Sequence, residues 1–144
     1  MVAYADTSFL VSLYGQDANS AEAQRLAAVL KVPFAFTPLV RLEAHNAFRL
    51  AVFRNEITPD ECRDALAIIE ANFRTGALVE APVAWAEVYA EAEALSAAHT
   101  EKLGTRAFDL LHVATAVVLG AKDFFTFDTR QKALAVKAGM TVRP

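Results

Sequence analysis

Four acids stand where a lone carboxylate is hard to place. Asp6 follows the apolar run VAYA and Asp128 follows FFTF. Glu43 lies one to two turns into the helical pattern after FAF, and Asp109 lies in the first turns of TRAFDLLHVATA, Thr105 to Ala116, which is apolar on nearly every side. A carboxylate in such a setting is costly unless it is paired or binds a metal. On a helical wheel Glu43 falls among Leu39, Ala47 and Leu50, the side expected to face the core, with Arg41, His45 and Arg49 across the helix. Arg54, on the same side as Glu43, offers it a partner.

Carboxylates brought together repel one another, and a dry cluster protonates or splits apart. A hard divalent cation removes that conflict. Oxygen ligands without a supporting His or Cys set point to Mg²⁺ or Mn²⁺ and not to zinc. Such an ion, held by a few carboxylates and substrate phosphate oxygens, suits phosphodiester hydrolysis, because it acidifies a bound water, orients it and stabilises charge on the phosphoryl and leaving oxygens. No serine–histidine pair or cysteine nucleophile suggests itself instead. Each acid also has a purely structural reading. Asp6 can cap a helix, Asp128 with Gln131 has the D-x-x-Q capping form, and Asp109 can answer a helix dipole.

The elements that must position these acids follow from alternating short apolar runs and longer helical patterns. Val2–Ala5, Phe34–Phe36, Ala77–Val79, Phe124–Phe127 and Met140–Val142 read as strands. Helices are expected over Ser8–Tyr14, Ala21–Lys31, Leu39–Arg54, Pro59–Phe73, Pro82–Ala98, Arg106–Leu119 and Thr129–Ala138. That alternation predicts an α/β fold, a mostly parallel central sheet flanked by helices, and the wholly apolar strands suit a sheet buried on both faces. Thr58-Pro59-Asp60-Glu61 has the capping-box form with Pro at the first helical position. Gly104 precedes the Thr105 segment, and Gly120 and Gly139 sit just past helix ends. In open sheets of this kind ligands bind beyond the carboxyl ends of the strands, so all four acids can converge on one rim.

The 144 residues suit one domain, and no repeat or linker interrupts them. No apolar run is long enough to span a membrane, and MVAYADTSFL lacks the basic start and long apolar stretch of a signal peptide, so a cytoplasmic location is expected. The single cysteine, Cys62, excludes an internal disulfide and a Cys-rich zinc site and reads as a small buried hydrophobe. The formal charge of −3 argues against a general nucleic-acid binder, yet neutralising the four acids turns it into +1. Arg106 and Arg130 then stand beside acids, suited either to gripping a phosphate backbone or to pairing with the carboxylates.

YADTSFL, the in-helix Glu43, TRAFDLLHVATA and DFFTFDTRQKALA occur in an order and at separations that span essentially the whole chain. Together they resemble the PIN domain, in particular the VapC-type toxins of toxin–antitoxin pairs. The resemblance implies a metal-dependent endoribonuclease with a PIN-like (Rossmann-like) three-layer sandwich, a single domain over residues 1–144, and a small helical insertion over residues 39–73. Carried over, the family's acidic quartet falls on Asp6, Glu43, Asp109 and Asp128. Asp6 and Asp109 would be the firmest Mg²⁺ or Mn²⁺ ligands, with Asp128 bound directly or through water and Glu43 ligating or orienting metal water. Thr7 or Ser8 corresponds to the small hydroxyl residue that touches metal water or substrate. The expected partners are RNA as substrate, a VapB-like antitoxin and a second copy of the chain.

Several points stay open in the sequence. His112, one turn beyond Asp109, can bond a carboxylate, approach RNA or be satisfied by a neighbour, whereas His45 and His99 look like surface residues. Phe48 and Val52 form a second apolar strip on their helix, either a contact surface or extra core. Other readings are a PIN-fold nuclease outside a toxin pair, a non-catalytic PIN-fold interaction module, and a phosphoacceptor module. The last expects a lysine at a late strand end, where Asp128 stands instead.

Overall fold

The computed structural model describes residues 1–144. In chain order the elements are β1 (Tyr4–Ala5), α1 (Thr7–Tyr14), α2 (Ser20–Val29), β2 (Phe34–Ala35), α3 (Pro38–Phe53), α4 (Pro59–Thr75) and β3 (Leu78–Val79). There follow α5 (Trp85–Leu95), a wide π-helical turn over Ser96–Thr100, α6 (Glu101–Leu103), α7 (Ala107–Val118), β4 (Asp123–Phe125), α8 (Thr129–Lys137) and β5 (Thr141–Arg143). β1, β4 and β5 form one parallel ladder and β2 and β3 another. A parallel bridge between Ala3 and Phe34 joins them, with Ala3 N–H donating to Pro33 O and Ala35 N–H to Ala3 O, both at 2.9 Å. The strands therefore lie side by side as β3-β2-β1-β4-β5, with helices covering the sheet.

β2 and β4 stop one and two residues short of the apolar runs that announce them, because the residues that follow lead into the caps of α3 and α8 at Thr37 and Asp128. β1 and β3 instead begin late, and β5 is shifted one residue on. The sheet is nonetheless buried on both faces, since Ala3, Tyr4, Ala5, Phe34, Ala35, Leu78, Phe124 and Phe125 all lie in the core. Between sheet and helices an aromatic cluster supplies much of the packing. Phe9, Phe34 and Phe125 meet at centroid distances of 5.7, 5.1 and 5.0 Å, and Phe127 stacks on Phe9 at 5.4 Å. Edge-on and offset contacts of this kind add to the area they bury.

The expected helix over Pro82–Ala98 begins at Trp85 and changes to a π-turn at Ser96. It runs on to Gly104, whose φ of +65° lets the chain stop and turn into α7. The face of α3 also differs from expectation. Val40, Ala44 and Phe48 form its buried seam, while Leu50 is exposed and Glu43 and Ala47 flank the seam. Phe48 is thus core and not part of an exposed strip, and it packs close under Gly15 at the end of α1. A helical side chain leans over the preceding turn, which rotates the true seam away from a wheel drawn through Leu39 and Leu50. His45 is not a surface residue either, because its side chain is only 13% exposed beside Glu70 and the Phe36 ring. Cys62 is buried among the apolar residues, as expected. No helix is long and apolar enough to cross a membrane.

Candidate active site

Chain direction across the sheet reverses at β1. From β1 the chain moves outward through β2 and β3, then returns to lay β4 on the other side of β1. A crevice opens beyond the carboxyl ends of neighbouring strands at such a reversal. Asp6 leaves β1 and Thr126 to Asp128 leave β4 at that point, held together where Asp6 N–H donates to Phe125 O at 3.0 Å. The crevice is a cleft of about 520 Å³ whose walls include Asp6, Glu43, Asp109 and Asp128.

Asp6 is the deepest of the four, 2% exposed, and caps α1. Its Oδ1 accepts from the Phe9 N–H at 3.0 Å and the Ser8 hydroxyl at 2.7 Å, and its Oδ2 accepts from the Thr126 hydroxyl at 2.6 Å. Burial raises its pKa and prevails over these three donors, which pull it down.

Glu43 projects from α3 toward α1 and α7. Its Oε2 accepts from the Thr7 hydroxyl at 2.6 Å and is bonded to His112 Nε2. Burial pushes Glu43 up, but the hydrogen bonds to His112 and the Thr7 hydroxyl outweigh it, so the carboxyl stays below its ordinary range. Arg54, offered by the wheel as a partner, is instead the exposed cap residue at the other end of α3.

Asp109 and Asp128 both engage helix N-termini. The Arg106 N–H donates to Asp109 Oδ2 at 2.9 Å, with the Arg106 Nε at 3.8 Å. Asp128 Oδ1 accepts from the N–H groups of Arg130 at 2.8 Å and Gln131 at 3.0 Å. The structural readings of three acids are therefore real, since Asp6 and Asp128 cap α1 and α8 and Asp109 stands in the first turn of α7, where it accepts from the amide of the cap residue Arg106. Capping occupies one side of each group. Asp109 Oδ1, Asp128 Oδ2 and Glu43 Oε1 receive no protein donor, and Asp6 Oδ2 receives one.

The structure brings Thr7, Ser8 and Arg106 into the cleft wall beside the acids, and His112 and Gln131 with them, but leaves Arg130 outside it. Thr126 is the residue that motif reading passed over. Its buried Oγ1 donates to Asp6 and accepts from the Asp128 N–H at 2.9 Å, so it ties two of the acids together. The signal was present in T-F-D, a hydroxyl two residues ahead of an acid at a strand end.

As the side chains stand, no three His, Cys, Asp or Glu groups are close enough together to hold a metal ion. The donor chemistry still fits one. Four hard carboxylates share a cleft, each with oxygen lone pairs free, and Mg²⁺ commonly keeps several waters and takes only one or two carboxylates directly.

A parallel sheet reversing at β1, with an acid-lined cleft at the reversal, defines an α/β protein of PIN-like architecture. The chain belongs to the PIN domain family, whose model matches residues 3–137. Among solved structures it is similar to Mycobacterium tuberculosis VapC20, a toxin that cleaves the Sarcin-Ricin loop, at 25% identity and a TM-score of 0.69, covering 99% of both chains. It shares its fold with VapBC2 from Rickettsia felis, solved bound to a promoter DNA fragment, at 16% identity and a TM-score of 0.65 over 99% of this chain and 98% of that one. PAE2754 from Pyrobaculum aerophilum has the same fold at 19% identity and a TM-score of 0.61, over 98% of this chain and 83% of that one. The search of curated proteins gave no match.

Proposed function

We propose that this chain is a Mg²⁺- or Mn²⁺-dependent endoribonuclease, a single PIN-like domain acting in the cytoplasm as the toxin of a VapBC-type pair. The observation that carries the proposal is the meeting of Asp6, Glu43, Asp109 and Asp128, from four separate segments, in one cleft at the sheet reversal. Asp6 and Asp109 would hold the metal, with Asp128 directly or through water. When bound, the ion supplies an acidified water and charge stabilisation at the phosphoryl group. Glu43, with Oε1 free, orients the attacking water. Thr7 fixes Glu43, Ser8 fixes Asp6, and Arg106, with its side chain 66% exposed at the mouth, grips a substrate phosphate. Arg130, outside the wall, is left for a more distant phosphate.

A VapB-like antitoxin and a second copy of the chain are the proposed protein partners. Leu42 and Phe53, 66% and 81% exposed, lie about three turns apart on one side of α3 and offer apolar contact area. This is a different strip from Phe48 and Val52.

The test is cleavage of a structured RNA by the purified chain. Cleavage is expected with Mg²⁺ or Mn²⁺, is lost on chelation and returns on adding metal. Expression without an antitoxin should arrest growth. Cleavage without growth arrest would place the nuclease outside a toxin pair. Neither activity, from folded protein, would leave an interaction module.

A further inference from the structure

A line of hydrogen bonds runs from the core to the cleft. The hydroxyl of Tyr4 in β1, wholly buried, lies 2.8 Å from Nδ1 of His112 in α7. His112, 2% exposed, reaches Glu43 Oε2 through its other nitrogen. The Tyr4 ring stacks on Phe124 at 5.5 Å and meets the imidazole edge-on at 5.9 Å, so neither ring is free to turn. An ionised carboxylate can only accept, so the nitrogen facing Glu43 carries the ring proton, and in a neutral imidazole the other nitrogen is then an acceptor open to the Tyr4 hydroxyl. Tyr4 donating to Nδ1 leaves the ring proton on Nε2, aimed at Glu43. Thr7 fills the second lone pair of the same Glu43 oxygen.

We infer that Tyr4 and His112 are positioning residues which, by fixing the Nε2–H tautomer, lock Glu43 through Oε2 and leave Oε1 alone for the reacting groups. The inference rests on the proposal that Glu43 works in this cleft. His112 touches neither metal nor RNA in this account. It does for Glu43 what an outer partner does for a metal-bound ligand, and losing such a partner typically lowers activity about 10- to 100-fold.

The test uses the full chain. Imidazole ¹⁵N NMR of the metal-free protein should show His112 as the Nε2–H tautomer, with that preference weakened in Tyr4→Phe. An Nδ1–H tautomer in the wild-type chain would overturn the inference, whatever the activity. For cleavage, a glutamine amide nitrogen reaches the place of Nε2, while an asparagine amide reaches only that of Nδ1. His112→Gln should therefore keep kcat within about threefold of wild type. His112→Asn should lose about 10- to 100-fold in kcat with KM for RNA little changed. Equal kcat in the two variants, both folded, would overturn the role assigned to His112. Asp6→Asn run in parallel separates the failures, since an active Asp6→Asn sinks the nuclease site, and a dead Asp6→Asn beside a fully active His112→Asn sinks only the relay.

Discussion

Thr126 donates its hydroxyl to Asp6 Oδ2 at 2.6 Å across 120 positions of sequence, and its own Oγ1 accepts the Asp128 N–H at 2.9 Å. One side chain thus joins the acid leaving β1 to the acid leaving β4. The two strands pair at Tyr4/Phe124 and Ala5/Phe125, so the hydroxyl extends the ladder one step past its last backbone pair.

Thr126→Val removes that hydroxyl at nearly constant shape. It leaves buried Asp6 short of a donor and the Asp128 amide short of an acceptor, which costs about 1–3 kcal/mol. Denaturant unfolding should show this loss, and RNA cleavage should fall with it. Thr126→Ser should restore most of both.

Arg106 is proposed to bind phosphate more than to support the fold, since its side chain is 66% exposed and its Nε stands 3.8 Å from Asp109, whose hydrogen bond comes from the Arg106 backbone N–H. Arg106→Ala should therefore raise KM for RNA and flatten the dependence of binding on salt by about one phosphate contact, with melting temperature unchanged. An unaltered salt slope would show that this side chain meets no phosphate.

Burial pushes the Tyr14 hydroxyl from 10.0 up to about 12. A phenol that ionises more easily unfolded than folded favours the unfolded chain once pH exceeds the unfolded value. Its contribution is complete below pH 10 and is lost as pH rises through 12, by up to about 2–3 kcal/mol. Stability measured against pH should fall over that window in the wild-type chain and fall less in Tyr14→Phe.

Most of the element order was legible because turn chemistry and hydrophobic period agree locally. Thr58 and Glu61 form the reciprocal capping box their spacing announces. The acids were legible as a set because each follows an apolar run or interrupts an apolar helix. Their immediate partners were not. The bond from His112 to Glu43 joins residues 69 positions apart, and that from Thr7 to Glu43 joins residues 36 apart, distances at which wheels and spacings say nothing. Phe48 was ambiguous for a related reason. Only the packed chain, in which Val40, Ala44 and Phe48 are buried and Phe48 lies close under Gly15, shows which side of α3 the core occupies.

Whether the acids hold a metal for cleavage is decided by Mn²⁺ affinity set beside RNA cleavage in Asp6→Asn and Asp109→Asn. Titration calorimetry with Mn²⁺ and an RNA cleavage assay, on variants shown by melting to be folded, should find both properties lost together, because the amide keeps hydrogen bonds but supplies no carboxylate charge. Undiminished cleavage with undiminished Mn²⁺ binding in either folded variant would contradict the account.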